Sequence, residues 1–363
     1  MRRFRLVVYT RFARHHNALR LVVNEYVDAA ARLLGEDDVA LLVTRDQAAA
    51  FASRRNVYVL PFDSGNAALS HLTTLVALPL LSIAFPRIHL LVPQIAFVGP
   101  IRGGFTAVVH DLIEWRVRSQ AWTKLLARRV LYRSTFHFAR RILCVSDATR
   151  RELLEFFPRY VDKCAVVHNG VDALARVEAK PVRELEGSRF AAVVGYVSEP
   201  QKNLLCVIDA FSALAAQRTE PDGGPPLRLA FAGPLGLRSD DVLRIARERL
   251  GGRFAYVGVV EDAQVKWLFE NAALVVAASK AEGFSLTPAQ ALHHGGRVVA
   301  SSIAPHREIL GDAAVYFDPA SSADCARAMA ECLARGGERA AATLPTWGDL
   351  PERLKGALPV WPR

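Results

Sequence analysis

The sequence is poor in cysteine and spaces its few cysteines widely. Its 363 residues contain five of them, Cys144, Cys164, Cys206, Cys325 and Cys332. No two form a C-x-x-C pair, and no cysteine and histidine spacing suits a zinc site. The cysteines in the runs ILCVS and CAVVH are typical of small apolar residues buried in a strand. We therefore expect no metal site, and a protein of a reducing, cytoplasmic compartment.

Long hydrophobic runs are also lacking. The longest, Leu72 to Phe85 (LTTLVALPLLSIAF), is interrupted by Pro79 and falls short of the ~20 residues that span a bilayer. It predicts a buried helix, and a segment lying on a membrane surface is the alternative. The opening MRRFRLVVYT has neither the length nor the small-residue cleavage site of a signal peptide, so we expect none.

Positive charge is abundant in only one half of the chain. Residues 1–172 contain 24 lysines and arginines against 14 aspartates and glutamates, whereas residues 173–363 contain 22 of each. Many of the basic residues lie close together: Arg116, Arg118, Lys124, Arg128, Arg129, Arg133, Arg140 and Arg141. This pattern indicates either a solvated helical face or a surface that meets polyanions such as phospholipid headgroups or a diphosphate-bearing acceptor. Interleaved aromatic residues and nucleic-acid-binding motifs are missing, so we expect no nucleic-acid partner.

Short β-branched runs alternate with longer helical patterns, which predicts parallel sheets built from βαβ units. The predicted strands of the first half are 4–10, 39–44, 57–62, 88–93, 106–111, 142–146 and 165–170. Those of the second half are 190–197, 227–234, 254–260, 273–279, 296–301 and 314–319. The length favours two domains, and the polar stretch 171–188 reads as their linker. The predicted fold class is therefore α/β, with two Rossmann-like domains, a cleft between them, and ligands at the carboxyl ends of the strands.

One segment, SKAEGFSLTPAQALHHGG (279–296), combines features of an anion site. Glu282 follows a predicted strand, Thr287 is a candidate helix N-cap, and Pro288 suits the first helical position. The intervening backbone N–H groups would then lead into a helix N-terminus, where phosphates bind readily. A carboxylate beside such a site suits a ligand with hydroxyls and phosphates, for example a nucleotide sugar. The alternative is an ordinary strand–loop–helix connection with a surface glutamate.

A series of short motifs carries a family resemblance. In order along the chain they are GY (195–196), QKNL (201–204), FAGP (231–234), YVGVV (256–260), SKAEGFSLTPAQAL (279–292) and ILGDAAVYFDP (309–319). The ordered set resembles the C-terminal domain of retaining GT-B glycosyltransferases of glycosyltransferase family 4. AVVHDLIEW (107–115), CVSDATRRELLEFF (144–157) and VVHNGVD (166–172) extend the resemblance to the first half.

The resemblance implies an organisation of the chain. Residues 1–172 would form an acceptor-binding domain and residues 173–344 a nucleotide-sugar-binding domain. Residues 345–363, which include Trp347, would form a helix that returns to the N-terminal domain. Such a crossover helix would couple the two domains and permit closure over the donor.

The resemblance also implies roles for matching residues. Glu282 matches the first glutamate of an E-x7-E motif, which holds the hydroxyls of the donor sugar. Lys202 matches the lysine that neutralises the diphosphate leaving group, a task that a fixed cation performs well. His110 matches a histidine that reaches the reacting sugar from the N-terminal domain, with Asp111 either orienting it or capping the next helix. The expected donor-binding residues are Gly195, Tyr196, Asn203, Gly283, Phe284, Ser285, Leu286, Thr287 and Gln290. The alternatives are a solvated loop lysine at 202 and a satisfied core or edge histidine at 110.

The sequence departs from the family pattern at three places. The second glutamate of E-x7-E is Gln290, which retains hydrogen bonding without charge assistance. An arginine that often accompanies the diphosphate lysine is replaced by Tyr196. A Gly-Gly loop expected after the first strand is replaced by TRFARHHNALR. That segment supplies candidate acceptor or phosphate ligands, namely Arg11, Arg14, His15 and Asn17.

The expected activity is that of a retaining, metal-independent hexosyltransferase without a cofactor. The donor would be a nucleotide diphosphate sugar with a mannose-like or glucose-like hexose, its base left open. The acceptor would be a glycan or lipid-linked saccharide in bacterial surface polysaccharide or lipopolysaccharide biosynthesis. The protein would be cytoplasmic, with its basic domain at the anionic inner face of the cytoplasmic membrane. One alternative is a soluble transferase acting on a small sugar or natural product. The other is a catalytically silent GT-B protein that binds nucleotide or glycan or acts as a scaffold.

Overall fold

A computed structural model of the chain describes residues 4–10, 17–45, 47–60, 67–95, 98–116, 122–216, 226–335 and 343–359. At 17–18, 67–74, 114, 116 and 122–125 only the backbone is described. The chain divides into two compact units. Unit 1 comprises Met1–Gly170 and Thr346–Arg363, and unit 2 comprises Val171–Pro345. The sequence-based boundaries differ from this division by one or two residues.

Unit 1 contains a parallel sheet whose described strands are β1 (Leu6–Thr10), β2 (Val39–Val43), β3 (Val57–Val59), β4 (His89–Val92), β5 (Phe105–Val109), β6 (Arg141–Cys144) and β7 (Cys164–Val166). Their order across the sheet is β3-β2-β1-β4-β5-β6-β7. Every residue of β1, β2, β4 and β5 is buried, because helices cover both faces of a parallel sheet. Four of the seven strands fall within stretches that the sequence predicts as strands, and β5, β6 and β7 each begin one residue earlier than predicted, so that part of the prediction is confirmed.

The described helices of unit 1 are α1 (Asn17–Leu34), α2 (Ala67–Ala84), α3 (Ile113–Arg116), α4 (Trp122–Phe138), α5 (Asp147–Phe156) and α12 (Leu350–Lys355). Right-handed crossovers place α2, α4 and α5 on one face of the sheet, because their connections all run in the same direction across it. One apolar core cluster includes Leu78 of α2, Phe136 of α4 and Leu153 of α5, which agrees with that placement. On the opposite face, α1 packs against α12.

Residues 72–84 of the run Leu72–Phe85 lie in α2, as predicted, but the helix is not buried on all sides. Val76, Leu80 and Ile83 are 50%, 60% and 62% exposed and share one stripe of the helix, since they are spaced by four and three residues. The prediction of a buried helix is therefore wrong for this outer face. Within the described part of the chain, none of the helices combines the length and apolar character that crossing a bilayer requires.

Unit 2 contains a second parallel sheet with strands β8 (Phe190–Val194), β9 (Arg228–Ala232), β10 (Phe254–Tyr256), β11 (Leu274–Ala277), β12 (Val298–Ser301) and β13 (Ala314–Phe317). Their order is β10-β9-β8-β11-β12-β13. All six lie within predicted strands. The described helices are α6 (Leu204–Ala215), α7 (Ser239–Leu250), α8 (Asp262–Asn271), α9 (Leu286–His293), α10 (Ala304–Leu310) and α11 (Ser322–Ala334). Short 3-10 helices occur in both units. Those of unit 1 are Glu36–Asp38, Ala48–Phe51 and Pro158–Lys163, and those of unit 2 are Ala173–Arg176, Arg183–Leu185, Gly251–Arg253 and Gly311–Ala313.

The segment before α12 is fixed by a tight contact within unit 1. Trp347 is 1% exposed and lies directly over Gly170. A Cβ at position 170 would overlap the backbone nitrogen of Trp347 and lie 2.5 Å from its Cγ. Glycine at 170 therefore allows the indole to pack against the end of the first segment of unit 1.

Candidate functional site

The candidate site lies at the carboxyl edge of the sheet in unit 2, where the strand order reverses. From β8 the chain continues to β9 on one side, and after β10 it crosses back to β11 on the other side of β8. Loops that follow two such neighbouring strands diverge and leave a crevice, which is where open parallel sheets bind ligands. Lys202 lies in the loop after β8, and Glu282 lies in the loop after β11.

The two side chains meet in an ion pair. Lys202 Nζ lies 2.7 Å from Glu282 Oε1, and the side chains are only 27% and 20% exposed. Gln201 joins the two loops, since its Nε2 donates to the Ala281 carbonyl at 3.0 Å and lies 3.4 Å from Glu282 Oε1. The backbone N–H of Lys280 donates to the Gln201 carbonyl at 2.9 Å. The structure therefore brings together the two residues to which the sequence assigns the main roles.

The pKa of Glu282 reflects opposing effects. Burial raises this pKa, but the charge and hydrogen bond of Lys202, a hydrogen bond from Ser279 and the nearby His306 all lower it. The lowering effects are the stronger, so the pKa of Glu282 lies below its ordinary value. Glu282 is therefore ionised at neutral pH, and both of its carboxylate oxygens act only as hydrogen-bond acceptors.

Helix α9 begins beside Glu282, but not where the sequence predicts. Its N-cap is Ser285, with φ 72° and ψ 42°, and the helix starts at Leu286. The prediction of Thr287 as N-cap with Pro288 at the first helical position is wrong, because both residues already lie within the first turn. The left-handed conformation of Ser285 turns the chain into the helix earlier than a Thr-Pro pair would.

The start of α9 has the character of an anion site. A helix N-terminus presents unpaired backbone N–H groups and the positive end of the helix dipole. The Oγ of Ser285 is buried and has no hydrogen-bond partner among the described residues. An unsatisfied buried hydroxyl at a helix N-terminus indicates a place for an external polar group. Gly283 and Phe284 form the loop between Glu282 and this hydroxyl.

Gly195 and Tyr196 occupy the start of the loop after β8. Gly195 has φ 131°, a conformation that favours glycine. A Cβ on Gly233, at the end of β9, would overlap the carbonyl oxygen of Gly195, so the two strand ends approach closely. Tyr196 is 36% exposed. A Cβ on Gly236 would lie 3.5 Å from Cδ1 of the Tyr196 ring, so the ring lies close to the loop after β9. The position therefore holds an exposed aromatic ring where the family pattern often has a cation.

Asn203 and Gln290 differ in how their amides are used. The buried Asn203 is left-handed (φ 57°), and its Nδ2 donates to the Pro319 carbonyl at 2.8 Å, so its amide holds two loops together. Gln290 is a buried residue of α9, and within the described chain its side-chain amide makes no hydrogen bond. The donor-binding role of both residues stays a prediction.

His110 lies in unit 1, directly after β5. Its Nε2 lies 2.6 Å from the Pro93 carbonyl, so Nε2 carries the proton and the neutral ring keeps its lone pair on Nδ1. Burial lowers the pKa of His110, and this outweighs the raising effects of the Pro93 bond and of Asp111. Asp111 Oδ1 accepts from the Ile113 N–H at 3.3 Å, so Asp111 caps α3. The catalytic role of His110 stays a prediction.

The four candidate acceptor residues come directly after β1 in the sequence. Arg11, Arg14 and His15 lie outside the described residues. Asn17 begins α1, and its side chain is not among those described. No cluster of three potential metal-ligating side chains occurs among the described residues, and metal independence stays a prediction.

The structure adds three residues that the sequence did not suggest. Ser279, Ser301 and His306 are buried next to Glu282 and connect it to the end of β12. One feature of the sequence could have indicated Ser301 and His306. They end and follow the predicted strand β12, whose carboxyl end lies at the same edge of the sheet as those of β8 and β11. Spacing along the chain does not reveal which polar residues of neighbouring loops meet there.

Comparisons with known proteins identify the family and the fold of the chain. The family model described as Glycosyltransferase Family 4 matches residues 23–173, and the model described as Glycosyl transferases group 1 matches residues 189–335. The chain belongs to glycosyltransferase family 4. Its two parallel-sheet α/β units are those of the GT-B fold, which confirms the predicted fold class.

The curated relatives of this glycosyltransferase family member are longer proteins. O-antigen chain mannosyltransferase B of Escherichia coli is 30% identical over 195 residues, which are 50% of this chain and 48% of the relative. The serotype-specific mannosyltransferase WbdA of Escherichia coli is 26% identical over 54% of this chain and 25% of its own length. The chain thus spans between a quarter and a half of these relatives.

A solved structure of similar fold covers the whole length. HepE of Anabaena in complex with UDP has a TM-score of 0.69 and 17% sequence identity, and the match covers 97% of this chain and 99% of that one. At this identity the likeness concerns the fold.

Proposed function

We propose that the protein is a retaining, metal-independent hexosyltransferase that transfers a mannose-like hexose from a nucleotide diphosphate sugar to a glycan or lipid-linked saccharide of the bacterial cell surface. The observation that carries the proposal is the Lys202–Glu282 pair at the switch point of unit 2, beside the N-terminus of α9. The names of the curated relatives, all mannosyltransferases, favour mannose.

Different residues of the site bind different parts of the donor. The diphosphate binds at the N-terminus of α9, where the N–H groups and the Ser285 hydroxyl face it, and Lys202 supplies the cation. Glu282 accepts hydrogen bonds from the sugar hydroxyls. When the bond to the sugar breaks, negative charge grows on the leaving diphosphate, and Lys202 with the helix N-terminus stabilises it. The departing phosphate oxygen accepts the proton of the acceptor hydroxyl.

A thermal-shift panel tests donor binding. GDP, UDP, dTDP, ADP and their common sugar conjugates are compared on wild type and Glu282→Ala. A ligand at ~100 times its Kd should stabilise the protein by about 2.7 kcal/mol, or a few degrees in Tm. We expect one sugar nucleotide to stabilise the wild type and to lose its sugar-dependent increment in Glu282→Ala. If no nucleotide at millimolar concentration shifts the wild type, the proposal fails and a silent scaffold becomes the better description.

Stereochemistry and metal dependence are tested on the product. With the donor identified, transfer to a saccharide acceptor in the presence of EDTA should proceed at the rate seen without it. NMR of the product should show the anomeric configuration of the donor. Inversion, or loss of activity restored by a divalent cation, would contradict these two parts of the proposal.

The proposal extends to an anionic membrane surface that presents a lipid-linked acceptor. The outer face of α4 mixes apolar and basic residues: Leu126 and Val130 are 55% and 54% exposed, and Arg129 and Arg133 are exposed beside them. Helical spacing puts these four residues within one stripe. The exposed stripe of α2 lies on the same face of the sheet, as deduced above. Exposed apolar residues with interspersed arginines suit an interface with anionic headgroups.

Liposome pelleting tests this surface. Vesicles with anionic lipid should bind the wild type at low salt and release it at high salt, since surface charge pairing is screened. The Arg129→Glu/Arg133→Glu variant should lose binding. Arg238→Glu/Arg244→Glu, at the N-cap and within α7 of unit 2, makes the same charge change and should retain binding. Equal binding by all three proteins, or none by the wild type, would favour a soluble transferase with a small acceptor.

A further inference from the structure

Two buried serines connect Glu282 to a buried histidine on a neighbouring element. The inference drawn from them rests on the proposed function, because it concerns the residue proposed to hold the donor sugar. Glu282 receives a hydrogen bond from Ser279 in addition to the contact with Lys202. Ser279 is buried, two residues beyond the end of β11, so its hydroxyl reaches Glu282 from the protein side of the site.

The backbone of Ser279 is held in turn by the next strand. Ser301 is the last residue of β12, which runs parallel to β11 with Ala277 opposite Ala300. The Ser301 hydroxyl donates to the Ser279 carbonyl at 2.5 Å, and Ser301 is fully buried. The backbone pairing of β11 and β12 ends at Ala277 and Ala300, and this side-chain hydrogen bond connects the two chain segments beyond that point. It fixes the residue that donates to Glu282.

His306 completes the connection. Its ring is 1% exposed, and its Nδ1 lies 2.8 Å from the Ser301 carbonyl and 3.1 Å from Ser301 Oγ. A carbonyl only accepts hydrogen bonds, so Nδ1 carries the proton, and the neutral ring keeps its lone pair on Nε2. The chain of hydrogen bonds therefore runs from His306 through Ser301 to Ser279, whose hydroxyl reaches Glu282.

The charged groups around His306 come from three elements. Burial lowers the pKa of His306, while Glu282 after β11 and the Ser301 bond raise it, and Lys202 after β8 lowers it. On the third side, the Tyr316 hydroxyl of β13 donates to the His306 carbonyl at 3.2 Å, and burial raises the pKa of Tyr316 to about 12, so it stays neutral. His306 is thus neutral at neutral pH and faces the Lys202–Glu282 pair as an uncharged group.

We propose that Ser279, Ser301 and His306 are positioning residues that hold the Glu282 carboxylate in the orientation that receives the donor sugar. None of the three is needed to bind the diphosphate, which is assigned to Lys202 and the start of α9. The network therefore contributes to the affinity for the sugar. It does not change the affinity for the nucleotide. Protonation of His306 would place a second cation beside Lys202 and draw Glu282 away from the sugar, so sugar affinity falls as the pH is lowered below the ordinary range of histidine.

Calorimetric titration with GDP-mannose and GDP, repeated with UDP-glucose and UDP, separates the two contributions. Ser279→Ala and His306→Leu should each weaken binding of the sugar nucleotide about tenfold, the scale of one lost hydrogen bond to a charged group, and change nucleotide affinity little. His306→Asn retains a donor to Ser301 and cannot ionise. It should restore sugar affinity at pH 7.5 and abolish its decline at lower pH.

The control is His89→Asn in unit 1. His89 is also buried, and its Nδ1 donates to a backbone carbonyl, that of Gly103, at 3.2 Å. A general loss of packing would lower Tm in all of these variants, whereas only Ser279→Ala and His306→Leu should weaken sugar affinity at pH 7.5. If the variants weaken nucleotide and sugar nucleotide equally, or only lower Tm, the network is merely structural and the proposal is overturned.

A measurement that needs no donor separates this inference from the proposed function. Long-range 1H–15N NMR of the free protein should find His306 protonated on Nδ1. Protonation on Nε2 would overturn the inference even if the wild type binds a sugar nucleotide. If the wild type binds neither these four probes nor the dTDP and ADP conjugates of the thermal-shift panel, the proposed function falls and the inference falls with it.

Discussion

The ammonium nitrogen of Lys202 lies 2.7 Å from Oε1 of Glu282, so the two residues proposed to bind opposite ends of the donor neutralise each other in the free protein. Both are less than one-third exposed, which makes the pair stronger than a surface ion pair and its rupture more costly. The donor offers each residue a new partner: a diphosphate for the cation and hydroxyls for the carboxylate. Donor binding therefore exchanges one ion pair for two sets of contacts.

The exchange predicts opposite effects for substitutions at the two ends of the pair. Glu282→Gln frees Lys202, so nucleoside diphosphate should bind as tightly as before or more tightly, while the increment from the sugar is lost. Lys202→Met removes the cation and should weaken nucleoside diphosphate binding and lower kcat by ~100-fold or more. Calorimetry and initial rates measure both. Lys355→Met, an exposed lysine of unit 1, is the control and should leave both unchanged. Equal loss of nucleotide affinity in both site variants would contradict this division of roles.

The conformation of Ser285 predicts that one substitution there changes donor affinity without lowering the stability of the protein. Its positive φ of 72° is strained for a side chain, and its buried hydroxyl has no partner in the described structure. Ser285→Gly removes the strain and the hydroxyl together, so Tm should stay equal or rise while donor affinity falls severalfold. Ser285→Val should lower both, because a β-branched residue tolerates this conformation poorly. Thermal unfolding with and without the sugar nucleotide checks both results. Unchanged donor affinity in Ser285→Gly would remove this hydroxyl from the site.

The contact between Gly170 and Trp347 predicts a stability change with a matched control. Gly170→Ala places a Cβ on the backbone and indole of Trp347, so the segment before α12 must move, and the free energy of unfolding should fall by about 2 kcal/mol. Gly252→Ala adds the same methyl group where nothing lies within 4 Å, and it should be neutral or slightly stabilising. Urea unfolding compares the two. If both variants unfold like the wild type, the packing of Trp347 on Gly170 does not stabilise unit 1.

The strands were the most predictable part of the fold, for a physical reason. A strand buried on both faces of a parallel sheet must be apolar throughout, as in VALLV of β2, and such runs stand out between polar segments. The outer stripe of α2 was not predictable in this way. Its residues are as apolar as those of its buried face, so sequence pattern alone did not reveal which side faces solvent.

The site was predictable in its chemistry but not in its full membership. Glu282 and Lys202 were found because each follows a strand and matches a family motif. The start of α9 was misplaced because the left-handed turn at Ser285 depends on packing around it, whereas Thr-Pro is a strong local helix-start signal. His306 was missed because its connection to Glu282 passes through hydrogen bonds between β12 and β11, which no spacing along the chain records.

His89 predicts how the stability of unit 1 depends on pH. Its Nδ1 donates to the Gly103 carbonyl and its Nε2 accepts from the Thr106 hydroxyl at 2.9 Å, an arrangement that only the neutral ring can make. Burial, the largest effect, lowers the pKa of His89 from 6.5 to about 4. Between these values the unfolded chain takes up a proton that the folded protein does not, so the free energy of unfolding falls as the pH falls.

The size of this effect can be measured against a variant that does not titrate at position 89. His89 contributes its full stabilisation above pH 6.5, and at pH 5 about 2 kcal/mol of it is lost. The His89→Asn variant lacks the pH-dependent contribution of His89 and retains those of all other titratable groups. Its free energy of unfolding should therefore decline less steeply between pH 7.5 and pH 5. Urea unfolding followed by tryptophan fluorescence at several pH values gives the difference. Parallel declines would mean that His89 has the same proton affinity in the folded and unfolded chains, and they would contradict the prediction that burial lowers its pKa.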